Sequence, residues 1–158
     1  MTENILYMHT LQKKFPEYAL RTSFFFLFLY SGTDLIRHPT GWYWAVRPLP
    51  WVMQNIINTQ IGIDRYLQMQ GWVEVVFALV FFAWFLPKLF VQIVAVLVAV
   101  EMAVILLLVG VSGDTFRDIG LLGGAIALFS LIQYEAADVK KRFEPVPTGW
   151  HPPETHQP

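Results

Sequence analysis

Polar and apolar positions do not alternate along this chain; they segregate into blocks. Residues 19–36 (ALRTSFFFLFLYSGTDLI), 72–86 (WVEVVFALVFFAWFL), 89–111 (LFVQIVAVLVAVEMAVILLLVGV) and 119–132 (IGLLGGAIALFSLI) are apolar on nearly every face. A helix packed on the outside of a soluble core would instead carry one apolar stripe. The third block contains one Gln and one Glu and is otherwise without strongly polar residues. As a helix it measures roughly 34 Å, enough for a hydrocarbon core of about 30 Å. A chain of 158 residues is too small to bury four such helices in itself. The pattern predicts an all-α protein: a four-transmembrane-helix bundle with helices at about 19–36, 70–86, 89–111 and 115–134. That membrane domain would cover residues 18–136, preceded by a polar segment (1–17) and followed by a cytoplasmic, Pro-rich, disordered tail (137–158).

The connections differ in kind. Pro87 and Lys88 leave room only for a tight hairpin between the second and third helices, since proline ends a helix at the residue before it. Ser112 to Asp114 is equally short. Residues 37–69 are too long for a turn and too aromatic for a solvated linker. Within them, PLPWVMQNIIN sets Leu49, Val52, Met53, Ile56 and Ile57 at helical spacing, behind prolines that suit a first turn. An amphipathic helix along the membrane surface fits, with Trp42, Tyr43, Trp44 and Trp51 at headgroup depth. Two uses are open for it: an interfacial anchor, or a lid over a pocket. In the last block, Gly120 and Gly124 form a GxxxG spacing, with Gly123 beside them and Ala127 extending the small face, a pattern expected for close helix packing.

Composition narrows the chemistry. Only 15% of residues are charged, against 55% hydrophobic, and a net charge of −1 gives no footprint for nucleic acid. The absence of cysteine removes thiolate nucleophiles, disulfides and Cys-ligated metals or iron–sulfur clusters. His151 and His156, in the tail, read as solvent residues rather than ligands. The first apolar run follows Lys13 and Lys14 with no cleavage pattern after it, so no leader peptide is expected. With four helices both termini share a side. That side holds Lys13, Lys14, Arg21, Lys88, Lys140, Lys141 and Arg142, and the other Arg37, Arg47, Arg65 and Arg117. The excess places both termini in the cytoplasm.

This topology gathers Asp34, Glu74, Asp114, Arg117 and Asp118 near the outer rim. Structural roles are available: Thr115-Phe-Arg-Asp118 matches a capping box, Asp114 is itself a candidate cap, and Glu74 lies in a first turn where the helix dipole favours an anion. Asp34 sits near a helix C-terminus, where negative charge is disfavoured, and needs a cation, either Arg37 or Arg117. The alternative for all five is a polar pocket, with Arg117 held inward by acids of other helices. Glu101 falls in the middle of the longest apolar block, where a charge costs at least about 2.5 kcal/mol. It is expected to be neutral, either bonded to a neighbouring helix through Tyr30, Ser31 or Ser130, or serving as a proton-relay or ligand group.

Three stretches resemble the DoxX-like family of small four-helix integral membrane proteins. They are the arginine opening the first helix (Arg21 in YALRTSFFFLFLYSGTDLI), the acid early in the second (Glu74 in GWVEVVFAL) and the FRDIGLLGGAIALF start of the fourth. The resemblance covers about residues 18–134. It implies a four-helix bundle in a bacterial or archaeal plasma membrane, and an accessory subunit of a membrane oxidoreductase system whose polar pocket lies near the outer face. The alternative it leaves open is a non-catalytic adaptor, chaperone or assembly factor. A quinone is compatible as ligand; no covalent or metal cofactor is expected, and no independent catalytic motif is present. The expected partners are the lipid bilayer and either a partner protein subunit or a second copy of the chain.

Overall fold

The computed structural model describes residues 2–113 and 115–142, with side chains from 14 to 113 and from 115 to 138. The described residues are helical and contain no strand. Four long helices carry the fold: α1 (Thr2–Arg37), α4 (Ile63–Phe82), α5 (Lys88–Val109) and α6 (Phe116–Arg142). Between α1 and α4 lie a 3₁₀ turn (Pro39–Trp42), the short helices α2 (Tyr43–Val46) and α3 (Trp51–Ile56), and a widened π turn (Ile57–Ile61).

Several boundaries differ from expectation, each for a local reason. Helix α1 begins at Thr2 instead of near residue 19 and runs through Pro16, so the polar segment 1–17 belongs to the same helix. Its Leu, Gln and Lys residues are good helix formers, which offset the hydrogen bond lost at the proline. Helix α4 starts at Ile63 and stops at Phe82, earlier than expected at both ends. Ala83 leaves the helical region, so Ala83–Pro87 forms the hairpin before Lys88 opens α5. Helix α5 ends at Gly110, whose φ of 79° an L side chain rarely adopts. Helix α6 runs on to Arg142, into the first part of the expected tail. Residues 143–158, with His151 and His156, lie outside the described residues, as does Asp114.

The helices pack as two antiparallel pairs, α1 with α4 and α5 with α6. In the first pair the backbones nearly touch at Gly32 and Gly71: a Cβ on either glycine would lie 2.7 Å from the other's carbonyl oxygen. The expected glycine contact on α6 is realised only in part. Gly124 faces Phe24 of α1, where an added Cβ would meet the ring at 3.1 Å, but Gly120 and Gly123 have nothing within 4 Å. Phe24, Phe28, Phe77, Phe81, Val91, Val98, Leu128 and Ile132 join the pairs in one core, with Phe24 stacked on Phe81 at 5.1 Å between ring centroids. A second cluster (Leu35, Val46, Ile57, Leu67) fastens the loop to the ends of α1 and α4. The apolar set expected on the loop helix therefore divides. Ile57 turns inward, while Trp51, Val52, Met53 and Ile56 are exposed.

Among the described residues, two helices are long and apolar enough to cross a membrane: Lys88–Val109, with mean hydropathy 2.8, and Phe116–Asp138, with 1.5. Only 28% and 17% of these stretches is buried inside the protein, so neither is wrapped in protein as the core helix of a soluble domain would be. In α1 and α4 the average is lowered by residues such as Arg21, Ser31 and Asp34, and Asp64, Arg65 and Gln68. The expected set of four spans is thus matched for two helices by length and composition.

Candidate functional site

A cavity of about 310 Å³ opens among the later half of α1, the start of α4, the end of α5 and the start of α6, under the loop. The antiparallel order brings these ends together. Its walls are apolar (Leu27, Phe28, Leu35, Leu67, Met102, Ile105 and Leu121 among them), and Trp42, Trp44 and Met53 contribute from the loop. Glu74, Glu101, Arg117 and Asp118 all line it, joined by Ser31, Tyr66 and Gln70.

Each polar group has a geometry that revises its expected role. Glu74 is buried and accepts a hydrogen bond from Ser31 Oγ on α1, across the Gly32–Gly71 contact. It is thus a bridge between helices; the dipole of its own helix does little for it, eleven residues in from Ile63. Glu101 Oε1 accepts a hydrogen bond from the Gln70 side-chain amide, and Oε2 is buried with no partner. None of the expected partners serves Glu101: Tyr30 is exposed, Ser31 bonds Glu74, and Ser130 bonds the Ile126 carbonyl of its own helix. Nor does Glu101 stand apart at mid-helix depth, because the cavity puts it in the same space as Glu74 and Asp118.

Asp34 is not paired with an arginine. It lies beside the cavity, 3.0 Å from His38 Nδ1, and accepts a hydrogen bond from Trp42 Nε1 at 2.8 Å. His38, directly after α1, and Trp42, at the end of the 3₁₀ turn, both reach back to it, so Asp34 fixes the aromatic wall. Arg117 is not held by acids of other helices. Its ion pair is with Asp118, the next residue, at 3.5 Å, its side chain is 54% exposed, and its guanidinium lies 5.6 Å from the Trp42 ring centre. The capping box also takes another form. Thr115 Oγ1 accepts from the Ser112 N–H and donates to the Gly110 carbonyl, tying the turn before α6 together from its N-terminal side. At the loop's far edge the Tyr43 hydroxyl donates to Asp64 at 2.6 Å, and the neighbouring carboxylate pushes the phenol above its ordinary range.

Sequence reasoning missed Gln70, and set Ser31 against Glu101 where its partner is Glu74. Gln70 and Glu74 are one turn apart, and that spacing was the available signal for a shared polar face. It also missed a second polar cluster at the opposite end of the bundle. There Arg21 is 3% exposed, pairs with Glu17 at 3.3 Å, and donates to the carbonyls of Phe81 (3.1 Å) and Ala83 (3.0 Å). Its guanidinium lies over the Trp84 ring at 4.3 Å. Lys88 reaches both Glu17 (3.5 Å) and Glu135, so the cluster ties α1, α5 and α6 together. Arg21 thus caps the last carbonyls of α4, where the chain leaves the helix before Pro87.

No group of three or more potential metal ligands occurs among the described residues. Comparison with known family models, curated proteins and solved structures finds no match to this chain.

Proposed function

We propose that this chain is a four-span integral membrane protein of DoxX-like type, an accessory subunit of a membrane oxidoreductase. Its outer-side cavity holds a small amphipathic molecule, of which a quinone is the leading example. The observation that carries this reading is the cavity: apolar walls, an aromatic rim and a few convergent polar groups, at the lower end of the roughly 300–1,000 Å³ range of small-molecule sites.

Four spans are supported by the outward faces of the two less apolar helices. Phe26 and Tyr30 on α1, and Trp72, Val76, Leu79 and Phe82 on α4, are large and exposed, which suits lipid better than water. The charged residues that lower the average hydropathy of α1 are dealt with inside the bundle or at its ends, by the Arg21–Glu17 pair and by the bonds of Asp34. The distribution of basic residues supports cytoplasmic termini, with the cavity toward the opposite side.

Purification in mild detergent, followed by solvent extraction and mass spectrometry, tests the reading. A quinone recovered near one per chain supports it. A stoichiometric partner protein with no small molecule would favour the adaptor function, for which the open, small-residue face of Gly120 and Gly123 on α6 is the supporting observation.

A further inference from the structure

The cavity meets the outer surface in two places of opposite character. Phe28, Leu67 and Met102 line it and are at most 5% exposed, so facing the cavity leaves little of a side chain accessible. Met53 of α3 and Val104 and Leu108 of α5 line it too, yet they are 42%, 45% and 38% exposed. The surplus lies on the outside, so the wall ends at these three apolar side chains. The other edge is polar, formed by the half-exposed Arg117 beside Trp42. Val104 and Leu108 are one turn apart, on one stripe of α5. Helix α3 belongs to neither core: none of its residues is buried, and the loop is held by Val46 before it and Ile57 after it. Trp51, Val52 and Ile56 give it an apolar, exposed surface.

We infer that the cavity takes only the head of a tailed lipid, such as an alkyl or isoprenoid quinone, and that the tail leaves past Val104 and Leu108 into the bilayer. The inference rests on the ligand-binding reading above and adds the class of the ligand and its orientation. Size supports it: 310 Å³ is the volume of about ten waters, room for one substituted ring but not for a long tail as well. Depth supports it too. Val104 lies five residues before the end of α5, about 7.5 Å along the axis, which is within the outer half of a hydrocarbon core about 30 Å thick. A tail leaving there passes from apolar wall to lipid and never meets water. A tailless, water-soluble ligand has the Arg117 edge for entry and no use for the apolar one.

The test uses the whole protein in detergent and two compounds that share a ring: decylubiquinone, and its dimethoxy-methylbenzoquinone parent, which has no tail. The parent reacts with thiols, of which this protein has none. Calorimetric titration gives the Kd of each compound for the unchanged protein, Val104→Trp and Leu108→Trp. Each compound is compared with itself across variants, because the tail alone alters partitioning into detergent. Both positions are exposed, so an indole there spares the core and obstructs the tail. The Kd for decylubiquinone should rise about tenfold, the order of a steric overpacking penalty, and that for the parent should stay within a few-fold. A second readout needs no variant. A decylubiquinone analogue with a diazirine at the end of its tail should label Met53 and residues 104–111 on irradiation, and excess decylubiquinone should suppress that labelling. Labelling confined to Phe28 and Leu67, or a Trp variant that affects the two compounds equally, would overturn the inference and leave the ligand-binding reading standing. Binding of neither compound, with labelling that excess decylubiquinone does not reduce, would overturn both.

Discussion

Replacing Arg21 with alanine should be the most damaging single polar change in the molecule. The side chain is buried, so solvent does little to screen what is removed. Three interactions go together: the ion pair with Glu17, two charge-assisted bonds to the Phe81 and Ala83 carbonyls, and the contact with Trp84. Removing one partner of a buried pair costs about 3–5 kcal/mol, and hydrogen bonds from charged groups contribute about 1.5–3 kcal/mol each. These figures overlap and do not add. Lys88, 3.5 Å from Glu17, retains part of the compensation for the abandoned acid. A loss of about 4 kcal/mol is the expected outcome, toward the middle of the buried-pair range. Arg21→Lys should recover about half of it, because an ammonium keeps the charge but cannot fork to two carbonyls. Glu17→Gln in the Arg21→Ala background should also recover part, since it removes the unpaired charge. The assay is reversible unfolding in mixed micelles, followed by circular dichroism. A loss below about 1 kcal/mol for Arg21→Ala, the level of a surface pair, would refute the reasoning.

Other outcomes follow from the same geometry. Gly71→Val should destabilise by about 2 kcal/mol or more, since its side chain would push against the Gly32 carbonyl; Gly120→Ala, facing open space, should be near neutral in the same unfolding assay. Arg117→Ala should cost less than about 1 kcal/mol, because its pair with Asp118 is exposed on the arginine side; a large loss would mean that Arg117 reaches acids of other helices after all. Single cysteines at Thr10, Gln60 and Trp150, in a chain that has none of its own, should be labelled by an impermeant maleimide in intact cells at position 60 alone. Labelling at 10 or 150 with protection at 60 would reverse the orientation.

The parts legible in the sequence were those set by long-range apolar patterning. The four long helices, the short hairpin before Lys88 and the gathering of Glu74, Arg117 and Asp118 at one end all follow from block lengths and antiparallel order. What could not be read was pairing across helices, which depends on rotation about each axis. Glu101 needed a partner, and three candidates were weighed, but the donor is Gln70, a residue placed at the edge of its helix because the polar turn from Ile63 looked like loop. Asp34 needed a cation by helix-dipole reasoning; two side chains just after its helix reach it first. GxxxG drew notice on α6, while the tightest surroundings of any described glycine are those of Gly32 and Gly71, single glycines on separate helices that no local motif joins. Arg21 was noticed for its likeness to a family pattern, and its bonds supply a physical reason for an arginine there: the end of α4 leaves carbonyls that only a long, forked cation on α1 reaches.

The measurement that bears most directly on the central claim is carbodiimide labelling of native membranes. Dicyclohexylcarbodiimide is apolar and reacts with protonated carboxyls, so it should enter the cavity from the bilayer and modify Glu101, as mapped by peptide mass spectrometry. Saturating decylubiquinone should protect that position, and Glu101→Gln should abolish the modification there. Labelling of Glu101 that decylubiquinone leaves unchanged would contradict the account, because the quinone would then have to bind elsewhere or not at all.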